Sequence, residues 1–378
     1  MEKTVSHANR FSLKLFKRVS SLDPRSTVCL CPFTVFQALS MAYAAAQGNT
    51  EQQMAKAFKV TKKYDIHSAF QALLKTLYKA VPDVKQDFAC HVFIERSFKC
   101  VPAYEALLTE KYLADVHHVE IREEPDKVRA FLNKTVENST AGAINELVVT
   151  GVTDHDSKIL FFDSVLLKAS WESVFPTTAA VTEKHPFTLM DEGERTAQLV
   201  TMCGPYRHYR DDDMKVLVVE IPFKSKSMAM IVFLADNAPS LRRFHKHLSI
   251  DLYQKVVDGL QTAKGNISIC VPRLRLEDAL QPSYTLKHMG FVDLFDEHAN
   301  LTGAGSTLYV SDIMHKVSFV LDGTGVNAAG AVSITLTDYY TEELPKAYRD
   351  LPSTRPYIFV IRNQETGLIL FMGSVQDL

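Results

Sequence analysis

The apolar residues of this chain change their spacing about halfway along. Near the N-terminus Phe11, Leu15 and Val19 stand at helical intervals among Arg10, Lys14, Lys17 and Arg18, which predicts an amphipathic surface helix. From Phe33 to Ala46 the spacing is again helical. Gly48 fits a helix end, and Thr50 with Gln53 forms a capping box for a further helix through Phe58. Between Asp126 and Val149 the residues Val128, Phe131, Leu132, Val136, Ile144 and Leu147 recur at helical intervals across a short glycine-containing break. After Asp156 the texture becomes short apolar runs bounded by turn residues: Ile159–Phe162, Val165–Leu167, Val216–Val219 and Met228–Leu234. These predict buried strands of one large sheet. Further strands follow at Ile267–Leu276 and Val317–Leu321, and a closing hairpin joins Tyr357–Ile361 to Leu368–Met372. No repeat, low-complexity linker or domain boundary interrupts the pattern, so helices and strands are expected to share one core in an α+β fold.

One stretch departs from this texture. From Gly323 to Thr337 the chain carries no charge and no proline, and Val326, Ala328, Gly330, Val332, Ile334 and Leu336 alternate with smaller or polar residues. This is a strand with one face suited to burial. It runs directly into the polar segment Asp338 to Pro345, and the next clear strand begins near Tyr357.

Composition narrows the functional classes. The 378 residues are 46% hydrophobic, ample for a core, and 42 Lys plus Arg stand against 44 Asp plus Glu. No global field therefore favours nucleic acid or a membrane. The start of the chain lacks the uninterrupted apolar core of a cleaved signal peptide, and no stretch is long enough without charge to span a bilayer. The six cysteines at 29, 31, 90, 100, 203 and 270 are dispersed, which fits buried thiols in a reducing compartment. A cytoplasmic protein is expected, with leaderless secretion the alternative.

Catalytic spacings are missing. There is no HExxH, paired CxxC, GxSxG or GxxxxGK[ST], so no metal, cofactor or catalytic residue is expected. His117 and His118 read as exposed histidines, and His315, between apolar strands, as a satisfied core histidine rather than a catalytic base. Gly323-Thr-Gly325-Val-Asn-Ala328 satisfies the dinucleotide fingerprint and follows a strand, but what comes next reads as strand. No helix follows to receive a pyrophosphate, which leaves a nicotinamide enzyme as a remote alternative.

Motifs spread over some 340 residues resemble those of the serpins. They include Val28-Cys-Leu-Cys-Pro32-Phe-Thr34, Ala38-Leu-Ser-Met41 and Gln47-Gly-Asn-Thr50-Glu-Gln-Gln-Met54. In the family's order there follow the strand Val165 to Trp171, Pro272–Leu276, Met289-Gly290, Leu301-Thr-Gly303, His315-Lys316, Arg355–Phe359 and Gly367–Gly373. Each is weak alone, and their joint order is specific. The start resembles the intracellular, ovalbumin-like branch and its poxviral relatives.

The resemblance implies one serpin domain over residues 1–378, with mixed β-sheets, surrounding helices and an exposed reactive-centre loop at about 323–350. It implies an inhibitor that acts as a suicide substrate, with a target protease as partner and no catalysis of its own. A protease cuts the loop, forms an acyl-enzyme and is trapped as residues 323–337 insert into the main sheet. Gly325, Val326, Asn327, Ala328, Ala329, Gly330 and Ala331 would form the hinge, and Cys31, Thr34, Asp163, Trp171 and His315 the region where the sheet opens. Cys31 and Thr34 stand where the family has serines, and Asp163 where it has asparagine. A buried Asp163 could hold His315 charged or share its proton, and so make insertion sensitive to pH.

Counting forward from the start of the loop puts the scissile bond after Tyr339, which suits chymotrypsin-like serine proteases. A register one residue shorter, as in some poxviral serpins, selects Asp338 and points to granzyme B or caspases. Tyr340 and Glu342 remain as further registers, the latter from counting back from Pro356. The resemblance also implies a monomer prone to loop–sheet polymers, with a non-inhibitory, chaperone-like or storage serpin as the alternative.

Overall fold

The computed structural model describes residues 1–61, 64–79, 84–139, 142, 159–169, 171–172, 184–190, 193–272, 274–305, 308–310, 312–321, 351–352 and 355–377. Among them nine helices are formed: α1 Glu2–Ser20, α2 Pro32–Ala45, α3 Gly48–Phe58, α4 Tyr64–Leu77, α5 Pro102–Tyr112, α6 Pro125–Ser139, α7 Ala238–His247, α8 Ile250–Gly259 and α9 Ser283–Met289. The amphipathic pattern of α1 is realised: Phe11, Leu15, Phe16 and Val19 are buried while Arg10, Lys14 and Arg18 are exposed. Helix α2 is mostly apolar, and only Ala44 among its residues escapes full burial, Thr34, Gln37 and Ser40 being buried with the rest. It lies between α1, α4 and α5 and the sheets that follow, so no face meets water.

The chain from Gln47 to Gln53 behaves differently from its sequence signature. No side-chain hydrogen bond caps α3. Thr50 Oγ1 instead accepts the Asn300 amide at 2.9 Å, and Gln53 Oε1 accepts the Asp293 amide at 3.0 Å. Asn49 Nδ2 donates to Asp293 Oδ2 at 2.6 Å, and Gln47 N to the Asn300 carbonyl at 2.8 Å. The motif is a clamp on a distant segment, because Thr50 and Gln53 sit inside the helix and look outward. Gly48 opens α3 with φ +56°, a conformation that favours glycine; α2 has already ended at Ala45.

The strands form three sheets. The first comprises β1 Val28–Leu30, β7 Arg207–Asp211, β8 Val216–Pro222, β9 Met228–Ala235, β10 Gln261–Thr262, β15 Tyr357–Asn363 and β16 Ile369–Val375. Its order is β1-β16-β15-β9-β8-β7-β10, and β15 and β16 are buried throughout, as expected for strands covered on both faces. The second comprises β5 Lys184–Thr188, β6 Glu194–Gly204, β11 Ile267–Pro272 and β14 Leu351–Pro352, in the order β14-β11-β6-β5. The third comprises β2 Val84–Glu95, β3 Asp115–Val119, β4 Ile159–Ala169, β12 Leu274–Leu280 and β13 Asp312–Leu321, in the order β12-β13-β4-β2-β3.

Two strand boundaries are corrected. Ile159–Phe162 and Val165–Leu167 are one strand, β4, because Asp163 and Ser164 continue the ladder between them. The run Ile267–Leu276 is two strands, β11 and β12, in different sheets, broken after Pro272, which has no amide hydrogen to extend a ladder. The helical spacing beyond Ser139, with Ile144 and Leu147, lies outside the described residues.

Candidate functional site: the parallel seam and its histidine

The third sheet is mixed. β12 and β13 are antiparallel, as are β4 and β2, but β13 and β4 run parallel side by side from Asp312 opposite Leu160 to Val320 opposite Lys168. β13 ends at Leu321, and residues 322–350 lie outside the described residues.

Beneath the seam, His315 is 2% exposed and paired in register with Asp163. Its ring faces the N-terminus of α2. The Cys31 amide donates to His315 Nε2 at 3.0 Å, and Thr34 Oγ1 lies 3.2 Å from His315 Nδ1. Thr34 Oγ1 also donates to the Cys31 carbonyl at 2.9 Å. These contacts fix the tautomer: Nε2 must accept, so the proton sits on Nδ1 and is donated to the Thr34 hydroxyl, whose own proton is already committed. Burial pushes the His315 pKa down to about 4. The ring is therefore neutral across about pH 5.5 to 8. The side chain of Asp163 is not among those described.

The structure thus brings together Cys31, Thr34 and His315. Trp171, grouped with them by sequence, sits elsewhere, beyond the end of β4, where it is buried and stacked on Phe223 with ring centroids 4.7 Å apart and planes at 11°. A lone β-bridge joins the same two residues. The hinge residues Gly325 to Ala331, the scissile candidates Asp338, Tyr339, Tyr340 and Glu342, and the dinucleotide-like run lie outside the described residues.

One buried charge cluster escaped the sequence reading. Glu220 on β8 accepts from Arg207 Nη1 on β7 at 2.7 Å and from Arg362 Nη2 on β15 at 2.6 Å. Its only signal was a carboxylate in an otherwise apolar strand. Among the described residues no group of three or more His, Cys, Asp or Glu side chains is set to hold a metal ion, and no helix is long and apolar enough to cross a membrane. Cys29, Cys31, Cys90 and Cys100 are in no disulfide.

Three sheets, flanking helices and the parallel β4–β13 seam define an architecture shared with solved structures of serpins. The native state of Tengpin, a thermophilic serpin, superposes with a TM-score of 0.87 at 21% identity, covering 100% of this chain and 95% of that one. Uncleaved ovalbumin does so with a TM-score of 0.85 at 20% identity and 99% of each chain. The chain belongs to the serpin family, the serine protease inhibitors, whose family model matches residues 6–378. It is 28% identical over 385 residues to the leukocyte elastase inhibitor of Sus scrofa, and 29% identical over 383 residues to Iris of Ixodes ricinus, with 100% of each chain covered in both cases. Membership supports protease inhibition in general rather than catalysis, and removes the nicotinamide alternative.

Proposed function

We propose that this protein is a suicide-substrate inhibitor whose bait is the segment 323–350 and whose trap is the β4–β13 seam, residues 1–378 acting as one domain. The observation that carries the reading is the parallel pair itself. A chain turning back after Leu321 runs antiparallel to both β13 and β4, so its entry exchanges one parallel ladder for two antiparallel ones, which are the stronger per residue. The alternating face Val326, Ala328, Gly330, Val332, Ile334 and Leu336 is uncharged, and a charge there would be costly to bury.

The favoured scissile residue is Tyr339, with a chymotrypsin-like serine protease as target; Asp338 would redirect the loop to granzyme B or a caspase. The name of the pig relative, an elastase inhibitor, supports a serine protease. On this reading the protein works as a cytoplasmic monomer, and loop–sheet polymers are its failure mode.

The test is incubation with chymotrypsin, cathepsin G, granzyme B and caspase-1, followed by a search for denaturant-resistant complexes and the mass of the released C-terminal fragment. A complex with a fragment starting at Tyr340 supports the reading with Tyr339 as bait, and one starting at Tyr339 moves the bait to Asp338. Cleavage without a complex overturns it in favour of a non-inhibitory serpin.

A further inference from the structure

At the β2–β3 edge of the third sheet, polar side chains gather that the trap does not use. The two strands are parallel, with His91 opposite Asp115 and Phe93 opposite His117, so these four residues share one face. His91 Nδ1 lies 3.3 Å from His117 Nε2 and 3.7 Å from Asp115 Oδ2. We propose that His91 and His117 form a clip for one divalent late transition metal ion, Cu2+ in preference to Zn2+, with the Asp115 carboxylate at its rim.

The spacing is the first argument. Two imidazole nitrogens bound at about 2.0–2.1 Å to one ion stand roughly 2.9 Å apart in cis positions of a tetragonal ion and roughly 3.4 Å apart on a tetrahedral one, and the separation found lies between the two. The rings are also held in place. His117 is stacked on Phe93 at 4.9 Å and 15°, and the edge contact with Phe131 of α6 is at 5.5 Å and 82°. Side-chain packing that fixes ligand orientation favours metal affinity. Access comes from one side: the His91 side chain is 5% exposed and that of Asp115 74%.

Whichever ring donates the present N–H···N bond moves that proton to its other nitrogen, and no proton need be lost when the ion enters. Because no third nitrogen or sulfur among the described residues completes the set, water fills the remaining positions. The order of affinities then follows the general one, with Cu2+ above Zn2+.

Sequence spacing hid this site because His91 is brought to His117 only by strand pairing. The expectation that His117 is simply exposed gives way to a half-buried ring. His118 points to the other face, 3.4 Å from Glu105 Oε2, and serves as the control.

The test is titration of the full chain with CuCl2 and with ZnCl2, followed by calorimetry and, for Cu2+, electron paramagnetic resonance. The expected result is one Cu2+ per chain with coupling to two imidazole nitrogens, Zn2+ binding more weakly, an affinity at least about tenfold lower in His117→Ala, and no change in His118→Ala. If His117→Ala does not fold, His117→Tyr keeps a ring between Phe93 and Phe131 and carries the same comparison. Equal Cu2+ affinity in the wild type and the His117 variant, or a spectrum without imidazole coupling, overturns the proposal.

Discussion

The Cys31 amide and His315 Nε2, 3.0 Å apart, tie the start of α2 to the middle of β13. A histidine bound this way can accept that amide only while Nε2 is unprotonated. The folded pKa, at about 4, lies below the ordinary value of 6.5. As pH falls from about 6.5 toward 4 the unfolded chain takes up a proton that the native chain refuses, so stability is full above that window and is lost through it.

The size of that loss is the first prediction. At pH 5 His315 alone is expected to lower stability by about 2 kcal/mol relative to pH 7. His91, also held down to about 4, adds to the same slope. Urea midpoints at the two pH values should differ less in His315→Asn than in the wild type. An unchanged slope would remove His315 as its source.

Thr34 both accepts from His315 Nδ1 and donates to the Cys31 carbonyl. Thr34→Val keeps the shape and leaves two buried polar groups without that partner, at a cost of about 1–3 kcal/mol. Thr34→Ser should retain most of the stability, since it restores the hydroxyl. Melting temperatures of the two variants make the comparison.

The buried charges around Glu220 give an asymmetric expectation. Arg362 is 10% exposed and Arg207 41%. Glu220→Gln leaves the Arg362 guanidinium buried without its counter-charge and should cost about 3–5 kcal/mol. Arg207→Ala, at the wetter end, should cost about 1 kcal/mol. Denaturant unfolding of both variants would show whether the order holds.

Gly373 of β16 leaves no room for a side chain. A Cβ there would stand 2.4 Å from Phe359 Cε1 and 2.6 Å from the Val28 carbonyl oxygen. Gly373→Ala should destabilise by about 1–3 kcal/mol as β1 and β15 are pushed aside, read as a lower melting temperature.

Within the proposed trap, Ala328→Arg places a charge on the face that must be buried. Cleavage by the target protease should continue while the yield of denaturant-resistant complex falls at least about tenfold. Undiminished complex formation would mean that residue 328 never enters the sheet.

Much of the helical part was legible because its apolar spacing is local. The Phe11, Leu15 and Val19 stripe and the apolar run of α2 each report on a single element. The sheets were less legible, since strand partnership is not written in the strand. Nothing in the run around Pro272 says that β11 and β12 join different sheets. Thr50 and Gln53 look like a capping box within four residues, yet their partners are 250 and 240 positions away. The seam's polar cluster was reached through family resemblance, which named Cys31, Thr34 and His315 together. The resemblance also named Trp171, whose ring packs on Phe223 beyond the end of β4. The His91–His117 pair had no such guide.

Trp171 is the only tryptophan in the chain. Stacked on Phe223 and shielded from water, it makes the intrinsic emission of this protein a single-site optical signal, reporting from the corner where β4 ends and β8 begins to turn. A fluorescence trace therefore records when that corner loosens, while circular dichroism averages over every helix and sheet. Any interval between the two signals during unfolding measures how far this corner moves independently of the rest.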